Sequence, residues 1–115
     1  MDPRIRQAIN FMNENLNRKV TERELADIAG VSPQHLCALF KNEIGETPVR
    51  YLNRLRMEKA RELLEGDDAP ALSIKEIAAK VGCRDLSHFV RDFQQRFGLS
   101  PRRYRERNQS HSRRS

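Results

Sequence analysis

Residues 47–65 read TPVRYLNRLRMEKARELLE, and this pattern predicts one long helix. The Thr47 hydroxyl can cap it, Pro48 suits its first turn because proline lacks the N–H that would be unpaired there, and Gly66 supplies a stop. At 1.5 Å per residue the helix would be roughly 28 Å long. Most apolar residues share one broad arc with Tyr51 off to one side, which indicates that the two ends of the helix pack against different neighbours.

The segments around this helix carry one pattern twice. Capping boxes begin at Thr21 (TERE) and Ser73 (SIKE), and the same offset of 52 residues joins Gly30 to Gly82. Beyond these glycines the second copy gains one residue. The offset of 53 then joins Ser32 to Asp85, Leu36 to Phe89, Phe40 to Phe93, Ile44 to Phe97, Gly45 to Gly98, Pro48 to Pro101 and Tyr51 to Tyr104. This agreement indicates a duplicated helical unit.

Each copy predicts a short helix, a tight turn containing glycine and a second helix, which is the helix-turn-helix pattern. One such motif is a weak signal, because antiparallel helix pairs without a DNA role share it. A packing helix with an Asp2 cap precedes the first copy and is expected to reach about Asn17. We expect an all-α chain with a first helix-turn-helix subdomain (1–46), a linker helix (47–66), a second helix-turn-helix subdomain (67–107) and a disordered basic tail (108–115).

Basic residues are concentrated at the C-terminal end. The 115-residue chain has a formal net charge of +6, and residues 91–115 carry eight Arg against two acidic residues. A basic region of this kind points to a polyanion, most simply nucleic acid. The alternative for the last eight residues is a solvated tail that keeps the protein soluble.

Other function classes have little support in the sequence. Neither Cys37 nor Cys83 belongs to a C-x-x-C pair, and there is no signal peptide or membrane-length apolar run, so we expect a cytoplasmic protein without a membrane partner. His35 and Cys37 point to nearly opposite sides of a helix and cannot share an ion, so we expect no metal. No cofactor is expected either. We also expect no enzyme, because no nucleophile with a neighbouring base, phosphate-binding glycine loop or carboxylate pair is recognisable.

The outward faces of the two second helices are the candidates for reading bases. Their outward positions are Gln34, Cys37, Ala38 and Lys41 in the first copy and Ser87, Val90, Arg91 and Gln94 in the second. Arg91 is the strongest candidate, because a guanidinium can donate two hydrogen bonds to guanine. The Gln34 amide can recognise adenine, and Val90 or Ala38 can contact a thymine methyl. The alternative is that these are ordinary solvent-facing residues, and it weighs most for Cys37 and Ala38.

Flanking polar residues are candidates for phosphate contacts, which fix position without reading sequence. They are Lys41, Arg50, Arg54, Gln94, Arg102, Arg103 and Arg105. The last three open a short helix whose free N–H groups would also attract a phosphate. Arg54 and Arg61 can instead pair with Glu58 and Glu65 along the central helix, which lowers their rank.

Two segments, LADIAGVSPQHLCALFKNEIGETPVRYLNRLRMEKARELL and IAAKVGCRDLSHFVRDFQQRFGLSPRRYR, closely resemble the DNA-binding domain of the AraC/XylS family of bacterial transcription regulators. The resemblance covers residues 5–107 and implies seven helices in two helix-turn-helix subdomains joined by a long central helix. It implies that the two recognition helices enter successive major grooves. These grooves are about 34 Å apart, one turn of DNA, and the expected central helix together with the packing on either side can hold two recognition helices at that distance.

The resemblance also implies which residues read bases: Gln34, Cys37, Ala38, Leu86, Ser87, Val90 and Arg91. Cys37 and Ala38 replace longer polar or basic side chains of the family, which implies little direct reading by the first helix. Cys83 replaces a usual Phe, which implies a smaller core side chain in that turn. Family members often carry a separate N-terminal sensing or dimerisation domain, while a few consist of little else. The first residues are compatible with both, and of the two we expect an excised C-terminal domain.

The leading hypothesis is a sequence-specific, double-stranded DNA-binding transcription regulator. The main alternative is a helical interaction module whose outward faces bind a protein such as RNA polymerase. That module predicts no base preference and little dependence of DNA affinity on Arg91, and both roles are compatible in one protein. The sequence leaves activation and repression equally open.

Overall fold

The computed structural model describes residues 1–66 and 72–114, with side chains up to residue 108. Within these residues the structure is all-α, with seven helices and no strand. The helices are α1 (Pro3–Glu14), α2 (Glu22–Ala29), α3 (Pro33–Glu43), α4 (Pro48–Glu65), α5 (Ile74–Lys80), α6 (Leu86–Phe97) and α7 (Pro101–Arg114). The expected all-α fold with seven helices is therefore confirmed.

The chain divides into two compact units, Met1–Leu55 (unit 1) and Arg56–Ser115 (unit 2), and the boundary falls inside α4. Each unit has its own buried core. Leu52 of α4 belongs to the core of unit 1, whereas Met57 of the same helix belongs to that of unit 2. The expectation that the two ends of this helix pack against different neighbours is confirmed.

The repeat begins earlier in the chain than the sequence pattern suggests. The buried residues of α1 recur in α4 at an offset of 52, with Ile5 matching Met57, Ala8 matching Ala60 and Met12 matching Leu64. The C-terminal half of α4 thus serves unit 2 as α1 serves unit 1. Sequence comparison alone missed this correspondence because only the alanine is identical, although all six positions stay apolar. Each unit is a packing helix, a helix-turn-helix pair and a further helix.

The side chains expected to cap the helices do so in the structure. The Thr21 and Ser73 hydroxyls both accept a hydrogen bond from a backbone N–H three residues on, and both capping boxes are complete. Gly30 adopts a left-handed backbone with φ +74°, which costs a glycine no steric strain. Asp2 caps α1 as expected, but that helix ends at Glu14 rather than near Asn17, because the chain turns there.

The duplication extends to aromatic packing at equivalent positions. In unit 1 the Phe40 and Tyr51 rings meet edge to face with their centroids 5.9 Å apart. In unit 2 the rings 53 residues later, Phe93 and Tyr104, meet in the same way at 5.6 Å. The two units therefore share packing geometry as well as a sequence pattern.

The C-terminal segment differs from the expectation of a disordered tail. Helix α7 continues through Asn108 to Arg114. No glycine or proline follows Pro101, and Arg, Glu and Gln favour helix, so nothing in the local sequence stops the helix. Most of the loop expected between the two copies, residues 67–71, lies outside the described residues.

Candidate nucleic-acid interface

Helix α3 presents a small and sparsely polar face. The Ser32 hydroxyl caps the helix by accepting a hydrogen bond from the His35 N–H at 3.1 Å. Leu36 and Phe40 are fully buried and fix the rotation of the helix. The predicted outward residues Gln34, Ala38 and Lys41 are exposed, and Cys37 is half-buried. This face therefore offers one amide and one ammonium group for polar recognition.

Helix α6 presents a longer and more polar face. The Asp85 carboxylate accepts a hydrogen bond from the His88 N–H at 3.0 Å, and Phe89 and Phe93 turn inward. The three predicted polar contact residues of this helix are all exposed: Ser87, Arg91 and Gln94. The guanidinium of Arg91 therefore points away from the core, as bidentate contact with guanine requires.

The apolar members of this predicted site divide between surface and core. Leu86 is 42% exposed at the first position of α6, where its side chain can meet an apolar group such as a thymine methyl. Val90 is half-buried and packs against the core of unit 2. Val90 thus has less surface for a base contact than its helical position suggests.

The described cysteines and histidines do not gather into a metal site. Within the described residues no three His, Cys, Asp or Glu side chains come together as metal ligands. Burial raises the pKa of the Cys83 thiol, which packs against the core of unit 2. His88 lies 3.3 Å from the Asp92 carboxylate on α6, and this pair is ionic only when the imidazole is protonated.

The start of α4 and the start of α7 are built alike. The Thr47 hydroxyl accepts from the Arg50 N–H at 3.2 Å, and the Ser100 hydroxyl accepts from the Arg103 N–H at 3.3 Å. Both arginine side chains are exposed, as phosphate contact requires. Arg102 is 85% exposed, and its closest carboxylate, Glu106, is 3.6 Å away, so it is also accessible.

Arg105 differs from the other predicted phosphate residues. Its guanidinium is half-buried and donates a hydrogen bond to the Leu72 carbonyl oxygen ahead of α5. In this arrangement Arg105 ties α7 to the segment before α5. The exposed arginines of α7 are freer to meet a ligand.

Arg54 and Arg61 both form ion pairs within the protein. Of the expected partners Glu58 and Glu65, only Glu58 takes part. Arg54 pairs with Glu46 at 2.6 Å, and Arg61 pairs with Glu58 at 2.7 Å. Each guanidinium also lies over an aromatic ring of its own unit. Glu65, expected to pair with an arginine, instead accepts from the Tyr104 hydroxyl. Their low rank as phosphate contacts agrees with these pairings.

The fold and the exposed residues together indicate the class of protein to which this chain belongs. Each unit holds a helix pair joined by a glycine turn, and the second helix of each pair exposes polar side chains along one face. This arrangement is that of helix-turn-helix domains, which place the second helix in a DNA groove. Within the described residues, no helix has the length and apolar character that a membrane crossing requires.

Comparison with known proteins agrees with this class. Residues 25–107 match a family described as a helix-turn-helix domain. The chain is 36% identical over 105 residues to the HTH-type transcriptional activator RhaS of Enterobacter sp. strain 638, covering 91% of this chain and 37% of RhaS. The chain spans about a third of the length of the leading curated relatives.

Two solved structures show the same fold. An AraC-type DNA-binding domain protein from Chromobacterium violaceum has a TM-score of 0.85 and 29% identity, with 92% of each chain covered. The DNA-binding domain of AdpA, a global transcriptional factor solved in complex with a target DNA, has a TM-score of 0.86 and 26% identity, with 96% of each chain covered. The chain therefore belongs to the AraC-type helix-turn-helix family of DNA-binding transcription regulators.

Proposed function

We propose that both units bind one DNA duplex and that α3 and α6 enter successive major grooves. The observation that carries this proposal is the repeated geometry: each unit has a capped second helix, turned by buried aromatic or aliphatic residues so that one polar face is exposed. The DNA-binding domain of AdpA, which has the same fold, was solved in complex with a target DNA, and this supports DNA as the ligand.

The base-reading role falls unequally on the two helices. We assign Gln34, Cys37 and Ala38 of unit 1, and Leu86, Ser87, Val90 and Arg91 of unit 2, to the base edges. Arg91 carries the largest share, because its exposed guanidinium can bond guanine O6 and N7 together, which is worth about 1–3 kcal/mol of discrimination. Gln34 is the main polar reader of unit 1, since neither Ala38 nor Cys37 offers a strong donor.

Phosphate contacts hold the protein in register. We assign Lys41, Arg50, Gln94, Arg102 and Arg103 to the backbone, where their exposure lets them follow the phosphates. Arg105 belongs to this group only weakly, because its guanidinium is already bonded to the Leu72 carbonyl. The same reasoning excludes Arg54 and Arg61.

The complete regulator is proposed to be larger than this chain. Its curated relatives are about three times as long, which supports a separate N-terminal sensing or dimerisation domain. The DNA-binding part would act in the bacterial cytoplasm by binding alone, without cofactor or chemistry on the DNA. A contact with RNA polymerase is the natural way for bound regulator to affect transcription.

Selection of duplexes from a random library at near-physiological salt tests the proposed function. The expected result is two enriched blocks about 10 base pairs apart, since successive major grooves on one face repeat at that spacing. A single block would limit base reading to one unit. Absence of any enriched sequence would contradict sequence-specific reading and favour the interaction-module hypothesis.

A further inference from the structure

Between the left-handed glycine of the turn and the N-cap of the following helix, unit 2 has one residue more than unit 1, and backbone hydrogen bonds locate it. The Val31 N–H donates to the Ala26 carbonyl at 3.0 Å, and the Cys83 N–H donates to the Ala78 carbonyl at 2.8 Å. The two donors are 52 residues apart in the sequence, and so are the two acceptors. Up to Cys83, therefore, the second turn repeats the first without insertion.

The caps of the following helices fix the other side of the insertion. Ser32 and Asp85 are both N-caps, and each accepts from the backbone N–H three residues on. These residues are 53 positions apart. The extra residue of unit 2 is therefore Arg84, which lies between the core-packed Cys83 and the cap of α6.

Arg84 has no evident role in holding the fold. Its side chain is exposed, and within the described residues it makes no hydrogen bond or ion pair. The neighbouring Asp85 carboxylate is used by the His88 N–H. Unit 1 has the same turn hydrogen bond and the same type of cap without such a residue.

We propose that Arg84 binds a phosphate of the DNA backbone at the edge of the groove that α6 enters. The N-terminal residues of a recognition helix contact base edges in the major groove, and phosphates line that groove on both sides, so an exposed arginine just before the cap is within reach of a phosphate. A guanidinium suits this position because it can donate two parallel hydrogen bonds to phosphate oxygens. This inference rests on the proposed function and gives unit 2 an anchor that unit 1 lacks.

The test measures affinity for a selected site and for random duplex across a salt series. Arg84→Ala should weaken both by roughly eightfold at 0.1 M salt and make the slope of log K against log salt shallower by about 0.9, as expected for one lost phosphate contact. Arg84→Lys should keep most of the slope, because the charge remains. Arg96→Ala is the matched control, since Arg96 is exposed on the side of α6 roughly opposite Arg91 and should change neither quantity.

Three outcomes are decisive. Affinity and slope unchanged in Arg84→Ala would overturn the inference, provided that the unaltered protein still prefers its selected site. Loss confined to the selected site would also overturn it, because a base contact would then replace the phosphate contact. Failure of the unaltered protein to bind any duplex would instead contradict the proposed function. Circular dichroism melting should show Arg84→Ala to be as stable as the unaltered protein.

Discussion

Unit 1 and unit 2 share their internal packing and differ in what they present outward. Both have a capping box, a glycine turn, a capped second helix and an edge-to-face aromatic pair at the same spacing. At equivalent outward positions, however, the residues differ: Ala38 of unit 1 corresponds to Arg91 of unit 2, and Val49 corresponds to Arg102. Residues that set the fold are therefore repeated in the two units, whereas residues free to meet a ligand have diverged.

The two units also differ in charge, and unit 2 is the more basic. Residues 1–55 carry eight Lys or Arg against seven acidic residues, whereas residues 56–115 carry fourteen against nine. Excess positive charge strengthens attraction to the phosphate backbone. We therefore expect unit 2 to supply most of the affinity for DNA and most of the base reading.

The largest effects should come from removing the paired core aromatics, because each ring is buried in the core of its own unit. Phe93→Ala and Phe40→Ala each remove a fully buried ring, which costs roughly 3–5 kcal/mol of unfolding free energy. Phe93 should cost more, because it contacts three other rings whereas Phe40 pairs with Tyr51.

Hydrogen exchange can assign these losses to a unit. Phe93→Ala should lower amide protection in α5 and α6, and Phe40→Ala should lower it in α2 and α3. Uniform loss of protection along the chain in either variant would contradict two units with separate cores.

Next in size is the difference between the two reading faces. Arg91→Ala should weaken binding to the selected site by about 1–3 kcal/mol and leave random duplex nearly unchanged, because it mainly removes base contacts. Gln34→Ala, measured in parallel by fluorescence anisotropy, should cost less. Equal losses of Arg91→Ala on both duplexes would refute its base-reading role, and a larger cost for Gln34 would reverse the order of the units.

A smaller effect concerns the equivalent positions at the starts of α4 and α7. Arg102→Ala should make the salt slope of DNA binding shallower by about one unit, and Val49→Arg should steepen it by a similar amount. Val49 is 49% exposed, so the longer side chain can be accommodated at the surface. An unchanged salt slope in Arg102→Ala would show that Arg102 does not contact a phosphate. An unchanged salt slope in Val49→Arg would mean that the start of α4 lies away from the DNA phosphates.

The smallest effects distinguish the two capping boxes by pH and salt. A hydrogen bond from the Arg18 side chain is the main cause that lowers the pKa of Glu24, whereas the Ser73 backbone N–H is the main cause that lowers the pKa of Glu76. Because both folded pKa values are lowered, each carboxylate stabilises the fold fully above its ordinary pKa. That contribution is lost as the pH falls through the lowered value.

Carboxyl NMR titration at low and high salt checks this difference. High salt should move the Glu24 pKa back towards its ordinary value more than it moves that of Glu76, since the Arg18 interaction is between exposed charges. Glu76→Gln should flatten the acid limb of stability in unit 2. Equal salt shifts of the two pKa values would contradict the assigned causes.

The sequence predicted most of the scaffold because its signals are local. Capping boxes, turn glycines and the apolar spacing of Phe89 and Phe93 depend on neighbours within a few residues, and the structure has them as expected. The correspondence between α1 and the second half of α4 was missed, since buried positions accept different apolar side chains. Tertiary partners were also missed: the bond of Arg105 to Leu72 joins residues 33 positions apart, which no local pattern indicates.

The candidate site was predicted less completely than the fold. Helical spacing identified which residues of α6 face outward, but it did not show that Val90 packs against the core. The significance of Arg84 required the hydrogen bonds on both sides of the turn, because sequence alignment leaves the inserted position ambiguous. The base-reading and phosphate roles themselves stay predictions.

The measurement that tests unequal reading most directly is duplex selection with the unaltered protein, Arg91→Ala and Gln34→Ala in parallel. For the unaltered protein we expect a strong block and a weak block about 10 base pairs apart. Arg91→Ala should erase the strong block alone, and Gln34→Ala should alter the weak block alone. If both variants flatten the same block, or if Arg91→Ala leaves the strong block intact, two units with unequal reading faces is the wrong description of how this protein recognises DNA.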